Sequence, residues 1–208
     1  MSSVIVSRII SSAQAIERLI AGESLRDTWI TGLLDLNPLV VSRWICGEDL
    51  RGIYRPIVIQ RCILDGLNVE GRTFYEGVEL VNCRITVARF KQAYFYSSLL
   101  IEDCVFQESF EGQGIQSDGP IAIRNTVFSG YANFSGINLR NKVSLRDVSF
   151  PGGTNLLHEL TDGSRGQLGR KITLDGCRFC VADVPAELEA ARLGIAPLSE
   201  CDPGGAEG

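Results

Sequence analysis

The stretch LLIEDCVF, residues 99–106, sets one cysteine between two acidic residues and two apolar ones, and its pattern decides the fold. It reads apolar, any, apolar, any, any, small or apolar, any, large apolar. The same eight-residue pattern returns as LDLNPLVV from Leu34, IVIQRCIL from Ile57, VELVNCRI from Val78, IAIRNTVF from Ile121, VSLRDVSF from Val143 and ITLDGCRF from Ile172. Successive starts lie 23, 21, 21, 22, 22 and 29 residues apart. A fixed period of this length marks an architecture of stacked repeats, in which no single repeat can bury its apolar residues alone.

The first apolar pair of each unit, such as Leu99 and Ile101, has the two-residue period of a strand with one buried face. The inward phase is then recovered only three residues later, at Cys104, so the chain turns a corner between them. The corner residues Asn82, Asp103, Asn125, Asp147 and Gly176 are types that tolerate tight-turn dihedrals. Further inward pairs at Leu67 and Val69, Ala88 and Phe90, and Ala132 and Phe134 supply a third side, and Phe74, Phe95 and Leu139 a fourth. The reading is an all-β, four-sided parallel β-helix of about seven coils.

Stacking aligns like residues into columns. One column runs Leu39, Cys62, Cys83, Cys104, Thr126, Val148, Cys177; beside it runs Val41, Leu64, Ile85, Phe106, Phe128, Phe150, Phe179. The cysteines are therefore packing units rather than ligands or nucleophiles, since buried free cysteine behaves as a small hydrophobe. Cys104→Ser is expected to register as a loss, because it buries a hydroxyl without an assured partner. After Phe106 the pattern fits worst: Phe110 and Ile115 are assigned to the large columns, but Glu108 and Gln113 precede them, so that coil is expected to be irregular.

ANFSG followed by INLRN, residues 132–141, resembles two tandem units of the pentapeptide-repeat family, and EDLRG at 48–52 a third. The resemblance implies a right-handed quadrilateral β-helix over residues 30–180, and right-handedness is also the default for parallel crossovers. The sequence departs from the commonest family pattern at Val58, Glu79, Leu100, Ala122, Ser144 and Thr173, which marks a degenerate, aromatic-richer branch. Some members of the family imitate duplex DNA and protect type II topoisomerases such as gyrase, giving quinolone resistance or toxin protection.

An open solenoid needs capped ends. Residues 1–29 form an N-terminal capping segment whose helix is expected from Ser12 as N-cap to Gly22 as stop. Residues 181–208 hold a C-terminal helix, from Pro185 to Gly194, and a flexible tail. That helix is expected either to cover the last coil or, as the resemblance implies, to dock against a second copy as a homodimer contact. Two breaks, 111–120 and 151–171, are read as inserts and as places to look for function. Deleting 152–168 is expected to leave the rod folded.

The chain carries 25 acidic and 20 basic residues, which does not favour nucleic-acid binding. It has no apolar run long enough for a membrane span and no secretory signal pattern, and its seven cysteines are an odd count that suits reduced thiols; a cytoplasmic protein follows. His158 is the only histidine, and the Cys177–Cys180 C-x-x-C has no second pair at ligand spacing, so no metal or other cofactor is expected. Glu79, Glu102 and Asp103 lie beside exposed turns, which disfavours a polysaccharide-processing site. Residues 57–150 carry ten acidic and nine basic residues, too balanced for DNA mimicry. The expected function is a non-enzymatic, rigid protein-interaction scaffold, with Arg89, Lys91, Tyr94, Tyr96 and His158 as candidate partner-binding residues.

If the columns are real, Phe106→Ala costs about 3 to 5 kcal/mol, as for large aromatic truncations in cores. Equal denaturation midpoints for the two proteins would contradict the column assignment.

Overall fold

The computed structural model describes residues 4–161, 172–183 and 196–198. Half of the structure is strand, and its parallel sheets stack as a β-solenoid of about six turns. The first face is a sheet of seven strands: Leu25–Arg26, Ile57–Gln60, Val78–Val81, Leu99–Glu102, Ile121–Arg124, Val143–Arg146 and Ile172–Asp175. Seven rungs enclose six full turns, against the seven coils expected. In register, Leu99 lies between Val78 and Ile121, and Ile101 between Leu80 and Ile123.

Each rung then turns its first corner on a residue with positive φ: Asp27, Arg61, Asn82, Asp103, Asn125, Asp147 and Gly176, at φ between 45° and 63°. This left-handed conformation is where Asn, Asp and Gly are least strained. It reorients the backbone so that the residue after the corner points inward again, which is why the sequence skips a beat there. The small column follows at once: Cys62, Cys83, Cys104, Thr126, Val148 and Cys177 are all buried.

That column wants more than modest volume. The Cys104 thiol donates to the Glu102 carbonyl at 3.2 Å, and the Thr126 hydroxyl to the Arg124 carbonyl at 2.7 Å. Cys62, Cys83 and Thr28 make the same bond to the carbonyl two residues back, at 3.3, 3.4 and 2.6 Å. A short side chain with one donor thus covers a corner carbonyl that would otherwise be buried and underused. The expected penalty for Cys104→Ser is corrected accordingly, since a hydroxyl at this position finds the Glu102 carbonyl waiting.

On the second face Leu64 and Ile85 pair in register, Ile85 pairs with Phe106, and Phe106 with Phe128. The rings of Phe106, Phe128, Phe150 and Phe179 then stack at centroid spacings of 4.7, 5.0 and 5.0 Å, all four fully buried. These spacings match the strand separation of about 4.8 Å, so the backbone ladder itself imposes parallel ring stacking.

The first rung is not LDLNPLVV. Ile30 occupies the column of Leu64, and Leu25 that of Ile59. The true unit is ESLRDTWI, residues 23–30, with Asp27 at the corner and Thr28 in the cysteine column. Leu39 sits in a short 3₁₀ turn, Asn37–Leu39, and Val41 is exposed, so neither belongs to the expected columns. EDLRG at 48–52 is likewise not a solenoid side. It pairs antiparallel with Val41–Ile45 to make a hairpin that interrupts the first turn. Its two-residue loop, Cys46 and Gly47, has φ of 51° and 88°, the double positive φ that suits the twist of such hairpins. The chain rejoins the solenoid at Ile53, which bridges to Phe74 on the fourth face.

The turn containing residues 110–120 is regular in its backbone and exchanged in its side chains. Phe110 pairs with Ala88 below and Ala132 above, in the small column of the third face. Two residues on, where Phe90 and Phe134 stand in their turns, the chain has Gly112. The Phe110 ring swings into the space a large neighbour would fill, since a Cβ on Gly112 would meet Phe110 Cε1 at 2.7 Å. The fourth face repeats the exchange, with Ile115 beside Ala93 and Ser117 paired with Phe95. The Ser117 hydroxyl donates to the carbonyls of Phe95 and Gly119 at 3.1 and 2.8 Å. Residues 111–120 are therefore not an insert, and that coil is not irregular.

The ends also differ from expectation. Parallel pairing begins at Arg8–Ser11, which lies against Thr28–Thr31, well before residue 30. Helix α1, Ser12–Ile20, is capped by Ser11 rather than Ser12: the Ser11 hydroxyl accepts from Gln14 N–H at 3.3 Å, while the Gln14 carboxamide accepts from Ser11 N–H at 3.0 Å. Ala15 and Leu19 seal the core. At the other end, Ala196–Leu198 adds a parallel strand to Arg178–Cys180. The expected helix from Pro185 to Gly194, and with it the homodimer contact, lies outside the described residues.

The segment 151–171 is partly structural. Thr154 bridges Ala132, Asn155 accepts from Phe134 N–H at 2.7 Å, and Leu156 and Leu157 of helix α2, Leu156–Thr161, are buried. Deleting 152–168 would strip these from the core, so the expectation that the rod survives is withdrawn.

The size exchange predicts a specific coupling. Phe110→Ala alone destabilises by about 3 kcal/mol or more, whereas adding Gly112→Phe restores the large column and recovers a substantial part of the loss in a double-mutant cycle. Strict additivity of the two changes in urea denaturation would contradict the exchange.

Candidate functional site

On the outside of the fourth face, three tyrosines stand in one column. Tyr54 and Tyr75 stack at 4.3 Å with their planes 4° apart, and Tyr75 and Tyr96 at 4.8 Å and 10°. The same backbone ladder that stacks phenylalanines inside stacks tyrosines outside, because inward Phe74 and Phe95 are each followed by an outward residue. The hairpin extends the stack: the Arg43 guanidinium lies over Tyr54, 4.4 Å from the ring centroid. Both faces of Tyr54 are thus occupied, by a ring and by a cation.

Local sequence explains each placement. Gly52 lets Tyr75 lie against the backbone, since a Cβ there would meet Tyr75 Cε2 at 2.6 Å. The Tyr54 hydroxyl donates to the Leu50 carbonyl at 2.8 Å, which ties the hairpin to the column. Tyr94 meets Tyr96 edge-on at 4.5 Å, and its hydroxyl donates to Asp118 at 2.6 Å. Asp118 in turn faces Arg140 at 3.4 Å. Strand alternation sends Trp44 to the side of the hairpin opposite Arg43, where it is 76% exposed. Tyr96 is exposed as well.

Of the residues singled out from sequence, Tyr94 and Tyr96 are brought together here. Arg89 is exposed on the third face and Lys91 at the corner after it. His158 is exposed in α2, on the last turn. The five do not form one site. Sequence reasoning missed Tyr54, Tyr75, Arg43 and Trp44. A signal for the first two was present: Tyr54, Tyr75 and Tyr96 recur at intervals of 21 residues, the period of the core itself.

The corner-column thiols Cys62, Cys83, Cys104 and Cys177 are buried, whereas Cys46, in the hairpin loop, is free and exposed. Burial pushes Cys62 up to about 12 and also raises Cys177, while the hydrogen bond with Cys104 raises Cys83. Cys180 is disulfide-bonded, which departs from the expectation of reduced thiols throughout, and Cys177 beside it is free, so the C-x-x-C is not a dithiol. Among the described residues no three of His, Cys, Asp and Glu converge, and no helix is long and apolar enough to cross a membrane. No protein family, curated protein or solved structure matches the chain.

The aromatic column ends at the hairpin. It is a flat, pre-stacked aromatic strip with arginine at one end, rigid because every ring is fixed by the strand beneath it. Burial raises Tyr94 and pushes Tyr75 up to about 12, with neighbouring tyrosines adding to the effect at Tyr75. These hydroxyls stay protonated in the fold where an unfolded tyrosine ionises, near pH 10. Stability is therefore full below about pH 10 and is lost as pH rises from there toward 12. An absorbance titration at 295 nm should show delayed ionisation that is reduced in Tyr75→Phe with Tyr94→Phe, leaving the smaller delay of Tyr131, which burial also raises; an unchanged curve would contradict the burial of these rings.

Proposed function

We propose that the chain is a pentapeptide-repeat protein that works as a rigid, non-enzymatic scaffold and binds a protein partner along the tyrosine strip and the hairpin. The observation that carries this reading is the Arg43–Tyr54–Tyr75–Tyr96 stack with Trp44 exposed beside it. Tyrosine, tryptophan and arginine dominate the energetics of protein interfaces, and rings already fixed in place lose little entropy on binding. The six turns give a rod of roughly 29 Å along the axis, long enough to present such a strip without flexing.

The charge pattern supports this reading over DNA mimicry of the gyrase-binding kind. Four outward acids are paired with arginines: Asp27 with Arg61 at 2.5 Å, Asp118 with Arg140 at 3.4 Å, Glu102 with Arg124 at 3.8 Å and Asp175 with Arg146 at 3.5 Å. A surface that imitates a phosphate backbone needs unpaired negative charge.

The test is photo-crosslinking in the native host from probes placed at Trp44 and Tyr96, with Arg178 on the opposite wall as control. One protein should crosslink at the first two positions and not at the third. Purified, it should bind Tyr96→Ala and Trp44→Ala about 30-fold more weakly than wild type, as for interface hot spots. Undiminished binding by both variants would overturn the reading.

A further inference from the structure

Beside the tyrosine strip, where the hairpin leaves the solenoid, lies a cleft of about 310 Å³ lined by Leu39, Val41, Arg43, Tyr54, Arg55 and Pro56. That volume is at the small end of the range for binding pockets. Its lining combines the apolar side chains of Leu39, Val41 and Pro56 with the guanidinium groups of Arg43 and Arg55. Arg55 Nη1 donates to the Leu19 carbonyl at 3.0 Å and also to that of Ile20, so it caps the C-terminal end of α1. Its other nitrogens have no partner among the described residues. Arg43 Cζ lies 4.4 Å from the Tyr54 ring centroid, and its guanidinium has no hydrogen-bond partner among the described residues.

Neither arginine has a carboxylate within ion-pair distance among the described residues, although Arg18, Arg61, Arg124, Arg140 and Arg146 all do. Two unpaired cations held in one cleft, one by stacking and one by a helix end, are arranged for an anion. Guanidinium edges match a carboxylate bidentately, and the Leu39, Val41 and Pro56 wall suits an apolar side chain next to it.

We propose that this cleft receives an acidic segment of the partner protein, with an Asp or Glu carboxylate held between Arg43 and Arg55 and a neighbouring apolar or aromatic side chain on the Leu39–Val41–Pro56 wall. The proposal rests on the scaffold reading, because Tyr54 is shared by the cleft and the tyrosine strip, and a chain seated in one continues onto the other. Charge selects the segment; the strip adds contact area.

The test is an NMR titration of the whole protein with the capped pentapeptide Asp-Glu-Phe-Glu-Asp, its Asn-Gln-Phe-Gln-Asn counterpart, and sodium acetate at matched carboxylate concentration. The side-chain Nε–Hε resonances of Arg43 and Arg55 report directly. The acidic peptide should shift both and bind at least tenfold more tightly than the amide peptide. Its affinity should fall as salt rises. Arg43→Gln, which touches no helix cap, should weaken it about tenfold with the melting temperature unchanged. Equal binding of the amide peptide, unchanged affinity in Arg43→Gln, or acetate binding as tightly as the acidic peptide would each overturn the proposal. The scaffold reading fails separately, through the crosslinks and the Tyr96→Ala and Trp44→Ala affinities for the purified partner, which do not depend on this peptide.

Discussion

Every turn of this chain bonds its backbone to the turn above and the turn below, and everything else follows from that constraint. Parallel hydrogen bonding between rungs fixes the rise, and the rise fixes the distance between like side chains. Inside, it stacks Phe106, Phe128, Phe150 and Phe179 at about 5 Å. Outside, it does the same for Tyr54, Tyr75 and Tyr96. The register is held at the first corner, where a residue of positive φ redirects the chain at each of the seven rungs. The donor that follows, a thiol or hydroxyl in six of the seven rungs, binds the carbonyl two residues back and keeps the corner satisfied in a dry core.

The columns legible in the sequence were those where size and polarity agree with position. From Ile57 to Phe179 the eight-residue pattern located the first two faces, and Asn82, Asp103, Asn125, Asp147 and Gly176 located the corners. The pattern failed where two local signals pointed the same way by accident. LDLNPLVV has the right apolar spacing, but Pro38 lies in a 3₁₀ turn and the chain leaves for the hairpin. The true first unit hid because Glu23 stands at its first apolar position, and the next corner residue is Arg61, a type rarely chosen for positive φ. Spacing could not detect the exchange at Phe110 and Gly112, because a ring that reaches sideways satisfies the neighbouring column's volume from the wrong position. The hairpin left little trace, because VSRWI before Cys46 and Gly47 has no apolar–polar alternation and all five of its residues are exposed.

The candidate site was half legible. Tyr94 and Tyr96 stood out as neighbouring aromatics, while the column they belong to needed the core period to be applied to outward residues as well. Arg43 and Trp44 became visible only with the hairpin, since they are brought to the strip by a fold-back no repeat predicts. What the architecture offers is rigidity: rings, cations and a small cleft fixed on a wall that cannot relax without breaking rungs. Groups pre-positioned in this way lower the entropy lost on binding.

The most direct measurement is a crystal structure of the protein, read at one corner and one column. The account predicts positive φ at Asp103, Asn125 and Asp147, with the rings of Phe106, Phe128 and Phe150 stacked about 5 Å apart inside the rod. Corners in the right-handed helical region, or those three rings separated by more than one rung or turned to solvent, would contradict it.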